Sequence, residues 1–359
     1  MPSTSAAKGG TLPVRNRGNK NTVRHSLVTP THTTSYLEAG PGDGPLLVFV
    51  HGWPGLAVTW HRQLEHFAAR GYRVVAPDMR GYGDSTVHAD PAAYRQELIV
   101  ADMITLLDHL GRRRAVWIGH DWGSPTVWNI AAHFPERSVA VATLAIAFAT
   151  LERGWQGLLP TVDRARYPED TSPYGQFDYM AFYEKDAKRA TAVFGAAPGN
   201  TVKALFRRGD PAVHTRPAAR STVTRDGGWF GGAASAPDAP LNSTVLTERD
   251  FEELTAALTR NGFGGPTSYY LNHEANARYA DGAPGGCVLR LPVLFVGADY
   301  DQVADLSSPS ALDAMRSTCP DLTEVTVPAG HWLQLEAAPA VNEHIESWLT
   351  SHVAEPPSR

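Results

Sequence analysis

Cysteine is scarce in this chain: Cys287 and Cys319 are the two in 359 residues. A lone pair makes no disulfide framework and matches no zinc spacing, so a reducing compartment, the cytoplasm, is expected. Long apolar runs are missing too. No stretch approaches the ~20 residues of a membrane-spanning helix, and no span is expected. There is no basic block and no interleaving of basic with aromatic residues. With a net charge of −5 and a pI of about 6.3, nucleic acid is not an expected partner. The chain also lacks a phosphate-binding loop and a cluster of metal-ligating residues, so neither metal nor organic cofactor is expected. No acid occurs before Glu38, while several Arg and Lys do; residues 1–23 read as a flexible tail. There is no internal repeat.

What is present is ordinary globular material, 43% hydrophobic and 19% charged, enough for one large domain or one domain with an insertion. "PLLVFVH" (45–51) is a continuous apolar run, as expected of a strand buried on both faces. "AVTWHRQLEHFAARG" follows with Trp60, Leu64 and Phe67 at helical spacing. Then come a strand "YRVVAPD", a helix "ELIVADMITLLDHLG", a strand "AVWIG", a helix after Asp121 and a strand-like run "VAVATLAIAF". This alternation predicts a mostly parallel sheet with helices on both faces. From about Thr150 to Gly282 the pattern breaks into aromatics, helical stretches near 180–194 and 248–261, and the loop "DGGWFGGAASAPDAP". Strands resume at "LRLPVLFVGADYD" and "TEVTVPAGH", before a last helix, "AVNEHIESWLTSH". The expected organisation is a core of 24–149 and 283–353 interrupted by a mostly helical lid, 150–282, over the C-terminal strand ends, where an α/β protein encloses a ligand.

"GHDWG", Gly119–Gly123, fits the strand–turn–helix pattern Gly-x-nucleophile-x-Gly. Its glycines allow a tight turn that projects Asp121 from the top of the sheet. The five residues alone fit equally well a helix with Asp121 as N-cap. Three further stretches favour chemistry. "HGWPG" (51–55) follows a buried strand, where this fold places one backbone donor of an oxyanion hole; the residue after the nucleophile gives the other, so the candidates are the N–H groups of Trp53 and Trp122. "GADYDQV" ends a late strand and offers Asp301, with Asp299 as competitor, to orient a histidine. "PAGHWLQLE" places His331 after the last strand, completing the order nucleophile, acid, histidine.

Together these motifs resemble the α/β-hydrolase superfamily, and more narrowly the soluble epoxide hydrolases, from about Val23 to Val353. "HGWPG", "RGYGDS" (80–85), "GHDWGS" and "GHW" match the core pattern. Dehalogenases share the aspartate elbow, so the lid decides. "GQFDYMAFYEKD" resembles the segment carrying the first ring-opening tyrosine, which falls on Tyr179. "GFGGPTSYYLN" resembles that carrying the second, which falls on Tyr270, with Tyr269 in the preceding aromatic place. The usual Asn-Trp-Tyr-Arg is here Ser268-Tyr269-Tyr270-Leu271. His51, Pro54, Phe177, Tyr269 and Trp332 are candidate substrate contacts, and the lid aromatics suggest an apolar pocket.

The resemblance implies a cofactor-independent conversion of a small, apolar epoxide to a vicinal diol. An aspartate suits it. A serine attacking an sp3 carbon would give an ether that the site could not cleave. A carboxylate is ionised at neutral pH, attacks without a base, and forms an ester that water can hydrolyse. Asp121 is then the nucleophile, His331 the base for water, Asp301 its orienting acid, and Tyr179 and Tyr270 the donors to the epoxide oxygen. Two other readings stay open: a haloalkane or haloacetate dehalogenase using the same ester chemistry, and a non-catalytic ligand-binding member of the fold. Haloalkane enzymes usually carry Asn after the first His-Gly, where Trp53 stands.

Overall fold

The runs Leu46–Val50, Ala115–His120 and Val293–Ala298 are buried at every residue, as strands covered on both faces must be. They are central strands of the sheet in the computed structural model, which describes residues 14–15, 22–308 and 310–353. Among these residues the sheet has nine strands: β1 (Val14–Arg15), β2 (Val23–Val28), β3 (Thr33–Ala39), β4 (Leu46–Val50), β5 (Arg73–Pro77), β6 (Ala115–His120), β7 (Ser138–Leu144), β8 (Val293–Ala298) and β9 (Leu322–Val327). Their order is β1-β2-β3-β5-β4-β6-β7-β8-β9. Pairing is antiparallel from β1 through β3 to β5 and parallel from there on. Of the expected tail, Val14 and Arg15 pair with Arg24 and Val23; the rest, apart from residues 22 and 23, lies outside the described residues.

Side chains alternate across a strand, and β4 shows what that does. Leu47 and Phe49 enter the core on one face, against Leu64 and Phe67 of α1 (His61–Ala68) and Ile345 and Trp348 of the helix Ala338–His352. Val48 and Val50 enter the other, against Met103 and Leu107 of α2 (Gln96–His109) and Val127 and Trp128 of α3 (Gly123–His133). The sheet is thus covered on both faces, and its C-terminal edge is left for chemistry.

The run 139–148 does not stay extended to its end. β7 stops at Leu144 because Ala145 and Ala149 take φ of 67° and 62°, and the chain turns out of the sheet there. Between β7 and β8 the described residues hold helices and short 3-10 turns but no strand. The helix expected near 180–194 runs Asp178–Ala196, with non-helical backbone at Asp186. The Asp186 carboxylate accepts the Arg189 N–H at 3.0 Å, so the second half begins with its own cap. Glu248–Asn261 starts from a capping box in which Thr247 and Asp250 satisfy each other's backbone N–H. No helix among the described residues is long and apolar enough to cross a membrane.

Candidate active site

β6 ends at His120 and α3 begins at Gly123. Asp121 lies between them with φ of 51°, a left-handed conformation that residues with a Cβ rarely adopt. Its two flanking glycines make the turn possible. A Cβ at Gly119 would come within 2.5 Å of the Gly123 carbonyl oxygen, and one at Gly123 within 2.0 Å of the Val50 carbonyl oxygen. Only glycine lets α3 sit this close to the strands, and the turn holds the carboxylate at their C-terminal edge.

Asp121 Oδ1 accepts the Trp53 N–H at 2.6 Å. The Trp122 N–H flanks the same spot: a Cβ at Gly52 would lie 2.4 Å from Asp121 Oδ1 and 2.5 Å from the Trp122 nitrogen. The other carboxylate oxygen, Oδ2, faces His331 Nε2 at 3.5 Å. His331 Nδ1 hydrogen-bonds Asp301 Oδ2 at 2.8 Å, and Asp301 Oδ1 accepts the Val303 N–H at 2.6 Å. Asp301 rather than Asp299 meets the histidine; the Asp299 carbonyl instead accepts from His214 Nε2.

Burial opposes charge on His331, but the Asp301 charge, with hydrogen bonding to Asp121 and Asp301, outweighs it and raises the imidazole to about 9. Burial likewise works against the Asp301 carboxylate, and the facing imidazolium overcomes it, so that group is lowered. Because the folded value of His331 lies above its ordinary 6.5, the pair's stabilisation is complete below pH ~6.5 and lost as pH rises through about 9. The melting temperature of His331→Gln should therefore fall furthest below that of the wild type at pH 6, and the gap should close toward pH 10. Thermal unfolding of both proteins across that range checks it; a gap that widens with pH would show that His331 is held neutral.

Tyr179 and Tyr270 line the same cavity as Asp121, Asp301 and His331, a space of about 480 Å³. Their ring centroids are 5.8 Å apart. Burial pushes both phenols well above their ordinary range, with the Asp121 charge adding to it at Tyr179 and both Tyr179 and Asp121 adding to it at Tyr270. Both therefore stay protonated and able to donate. Tyr269 goes elsewhere. Its hydroxyl donates to the Arg80 carbonyl at 2.9 Å, and its ring packs against Tyr82, Tyr94 and Trp122.

Of the five residues expected to touch substrate, Trp332 lines the cavity and His51, Pro54, Phe177 and Tyr269 do not. His51 is spent on the backbone: Nδ1 donates to the Gly52 carbonyl and Nε2 accepts the Met79 N–H, both at 2.9 Å. It braces the loop that carries Trp53. Phe177 is buried beside Ala145 and Val303, in a separate small cavity. Pro54 is buried in the turn that presents Trp53. Trp332 is anchored by its Nε1–H to the Leu205 carbonyl at 2.9 Å and stacks on Phe206.

Some parts of the site were not singled out from the sequence. His120 donates from Nε2 to the His331 carbonyl at 2.7 Å, and its Nδ1 accepts from Gln334 at 3.2 Å. Burial keeps His120 neutral, near 3, and His331 reinforces this. Glu336 accepts the N–H groups of Gly209 and Gly330, each at 2.9 Å, tying the inserted segment to the His331 loop. The signal was present: His120 adjoins Asp121, and Glu336 closes the "PAGHWLQLE" stretch. Arg220 also lines the cavity, and no pattern in its turn marked it; Trp229 and Phe230, among the aromatics expected to make the pocket apolar, line it too.

The profile of the α/β-hydrolase fold family matches residues 45–338. The chain is 32% identical over 345 residues to the bifunctional epoxide hydrolase 2 of Mus musculus, covering 94% of this chain and 57% of that protein. It thus spans about half the length of the mammalian relatives it matches. It is 30% identical over 319 residues to epoxide hydrolase A of Mycobacterium tuberculosis, covering 88% of this chain and 93% of that one. Among solved structures, epoxide hydrolase A of Mycobacterium thermoresistibile superimposes with a TM-score of 0.73 at 29% identity, covering 91% of this chain and 98% of that one. An epoxide hydrolase of Vigna radiata gives 0.75 at 26% identity, covering 93% and 100%. With the aspartate elbow and the facing tyrosines, these likenesses settle its kinship: the chain belongs to the α/β-hydrolase fold family and, within it, to the epoxide hydrolases.

Proposed function

We propose that this protein converts an epoxide to a vicinal diol through an alkyl ester on Asp121. The observation that carries the reading is a carboxylate at the elbow facing two protonated tyrosines across one cavity. Asp121 Oδ2 bonds to one epoxide carbon, and that carbon's bond to the ring oxygen breaks. The electron pair stays on the oxygen, which takes hydrogen bonds from Tyr179 and Tyr270 and then a proton from one of them, leaving a tyrosinate. In the second step His331 Nε2 takes a proton from water, whose oxygen adds to the Asp121 carbonyl carbon. The Trp53 and Trp122 N–H groups stabilise the oxyanion that forms on Oδ1. The bond from that carbon to Oδ2 then breaks, Oδ2 takes the second proton of the added water, the proton on His331 passes back to the tyrosinate, and the diol leaves with Oδ2. Asp301 fixes the tautomer of His331 and stabilises its charged form.

A dehalogenase would need donors aimed at a halide beside Asp121, and Trp122 does not line the cavity. Both cysteines are free thiols, which fits a cytoplasmic protein. A panel of structurally varied epoxides, assayed for diol, tests the reading. Halide release from chloroalkanes without diol from any epoxide would replace it.

The acid has its own test. Asp301→Asn should fold and still form the ester, but hydrolyse it roughly 10²–10⁴-fold more slowly, because the amide no longer favours the required tautomer. Rapid-quench kinetics would show a burst followed by a slow phase. Normal turnover here, with a severe loss in Asp299→Asn, would move the role to Asp299.

A further inference from the structure

The cavity wall carries more charge than the proposed chemistry uses. Besides Asp121, Asp301 and His331 it holds Arg207, Arg208, Arg216, Arg220, Asp210 and Asp226. Most of these are occupied. Arg208 pairs with Glu336 at 3.3 Å and Arg216 with Asp210 at 3.5 Å. Arg207 donates to the Pro240 carbonyl at 2.9 Å, and Asp226 accepts from Thr222 at 2.6 Å and from Arg225 at 3.1 Å.

Arg220 is the exception. Among the described residues it has no hydrogen bond and no ion pair. The other three arginines are exposed, whereas Arg220 is partly buried. It stands in the short turn Ala219–Thr222, and its positive charge is felt by both Tyr179 and Asp301. An always-charged group turned partly out of water without a partner costs free energy. A bound anion would remove that cost. The planar fork of a guanidinium fits a carboxylate with two parallel hydrogen bonds. A single guanidinium left without any partner among the described residues, with Asp210 and Asp226 on the same wall, suits one negative charge better than a phosphate dianion. The rest of the lining includes the aromatics Trp53, Trp229 and Phe230 and the aliphatics Leu205, Val213 and Val223.

We propose that Arg220 is a specificity-determining residue that binds a carboxylate on the substrate, so that this protein selects epoxides carrying an acid group over their neutral analogues. This rests on the epoxide hydrolase reading of the same cavity. It departs from the wholly apolar substrate that the sequence suggests.

The test uses the full chain and a series of terminal epoxy carboxylates of 4 to about 12 carbons, each beside its primary amide, with styrene oxide as an unrelated neutral epoxide. At the best chain length the acid should exceed the amide in kcat/KM by about 10- to 100-fold, the scale of one charge-assisted pair. In Arg220→Gln that ratio should fall to near one; in Arg220→Lys, which keeps the charge but loses the fork, it should lie between. A wild-type ratio near one at every length overturns the proposal, and this needs no variant to fold. So does a ratio that Arg220→Gln leaves intact. Turnover of styrene oxide with no turnover of any acid sinks the proposal alone. No diol from any of these epoxides sinks the hydrolase reading with it.

Discussion

His331→Gln should turn the protein into a covalent trap: mixed with an epoxide, it should gain one substrate mass on Asp121 and release almost no diol. The reason lies in which step uses the imidazole. Ester formation needs an ionised Asp121 and donors for the epoxide oxygen, and glutamine disturbs neither directly. Ester hydrolysis needs a group that takes a proton from water, and glutamine cannot. The loss should be roughly 10²–10⁴-fold, confined to the second step. The electrostatics agree with this division. In the free protein His331 is held protonated by Asp301 and Asp121, so it supports the nucleophile's negative charge. Esterification neutralises Asp121 and removes one of those supports, which favours the neutral base when water must be activated. Oxygen isotopes give an independent readout. In a single turnover in ¹⁸O-water, with enzyme in excess, the diol should be unlabelled, because its new oxygen is Asp121 Oδ2. The label should appear in the Asp121 peptide. Labelled diol on that turnover, with no adduct in His331→Gln, would make Asp121 a general base for direct hydration.

How far the sequence leads depends on how local each signal is. The turn that carries Asp121 was legible because it is encoded within five residues, Gly119 and Gly123 each standing where a Cβ would strike backbone; choosing nucleophile over N-cap took the stretches at 51–55, 297–303 and 328–336 as well. The sheet was legible because burial on both faces leaves continuous apolar runs, as in Leu46–Val50. β7 was overextended because Ala145 and Ala149 adopt positive φ, which alanine does not advertise. Cavity membership was the least legible. His51, Pro54 and Phe177 are close in sequence to candidate reacting groups yet spend their side chains inside the scaffold, while Arg220 reaches the cavity from a turn with no periodicity. Neighbours in a chain share a backbone, not a direction. Tyr269 and Tyr270 make the point: one short turn, Tyr269–Leu271, sends the first to the Arg80 carbonyl and the second to Asp121's cavity.

That divergence makes the tyrosines the sharpest place to test the first chemical step. Tyr179→Phe and Tyr270→Phe should each slow ester formation by roughly 10²–10³-fold, the cost of losing one preorganised donor to a developing oxyanion. The double variant should be nearly inactive. Because both hydroxyls would serve one oxygen atom, the two losses need not add; the remaining donor can shorten its bond in each single variant and not in the double. Substrate binding should change less than the rate, since charge on the oxygen develops only as the ring opens. Tyr269→Phe is the contrast. It removes the partner of a buried backbone carbonyl, so it should lower stability by about 1–3 kcal/mol and leave ester formation close to the wild-type rate. Stopped-flow or rapid-quench measurement of the ester, beside urea unfolding of each variant, separates the two effects. If Tyr270→Phe were silent and Tyr269→Phe slow, the donor would be Tyr269, and the protein would have to rearrange this turn before it reacts. If all three variants formed the ester normally, the epoxide oxygen would draw its proton from elsewhere, and the lid tyrosines would be packing alone.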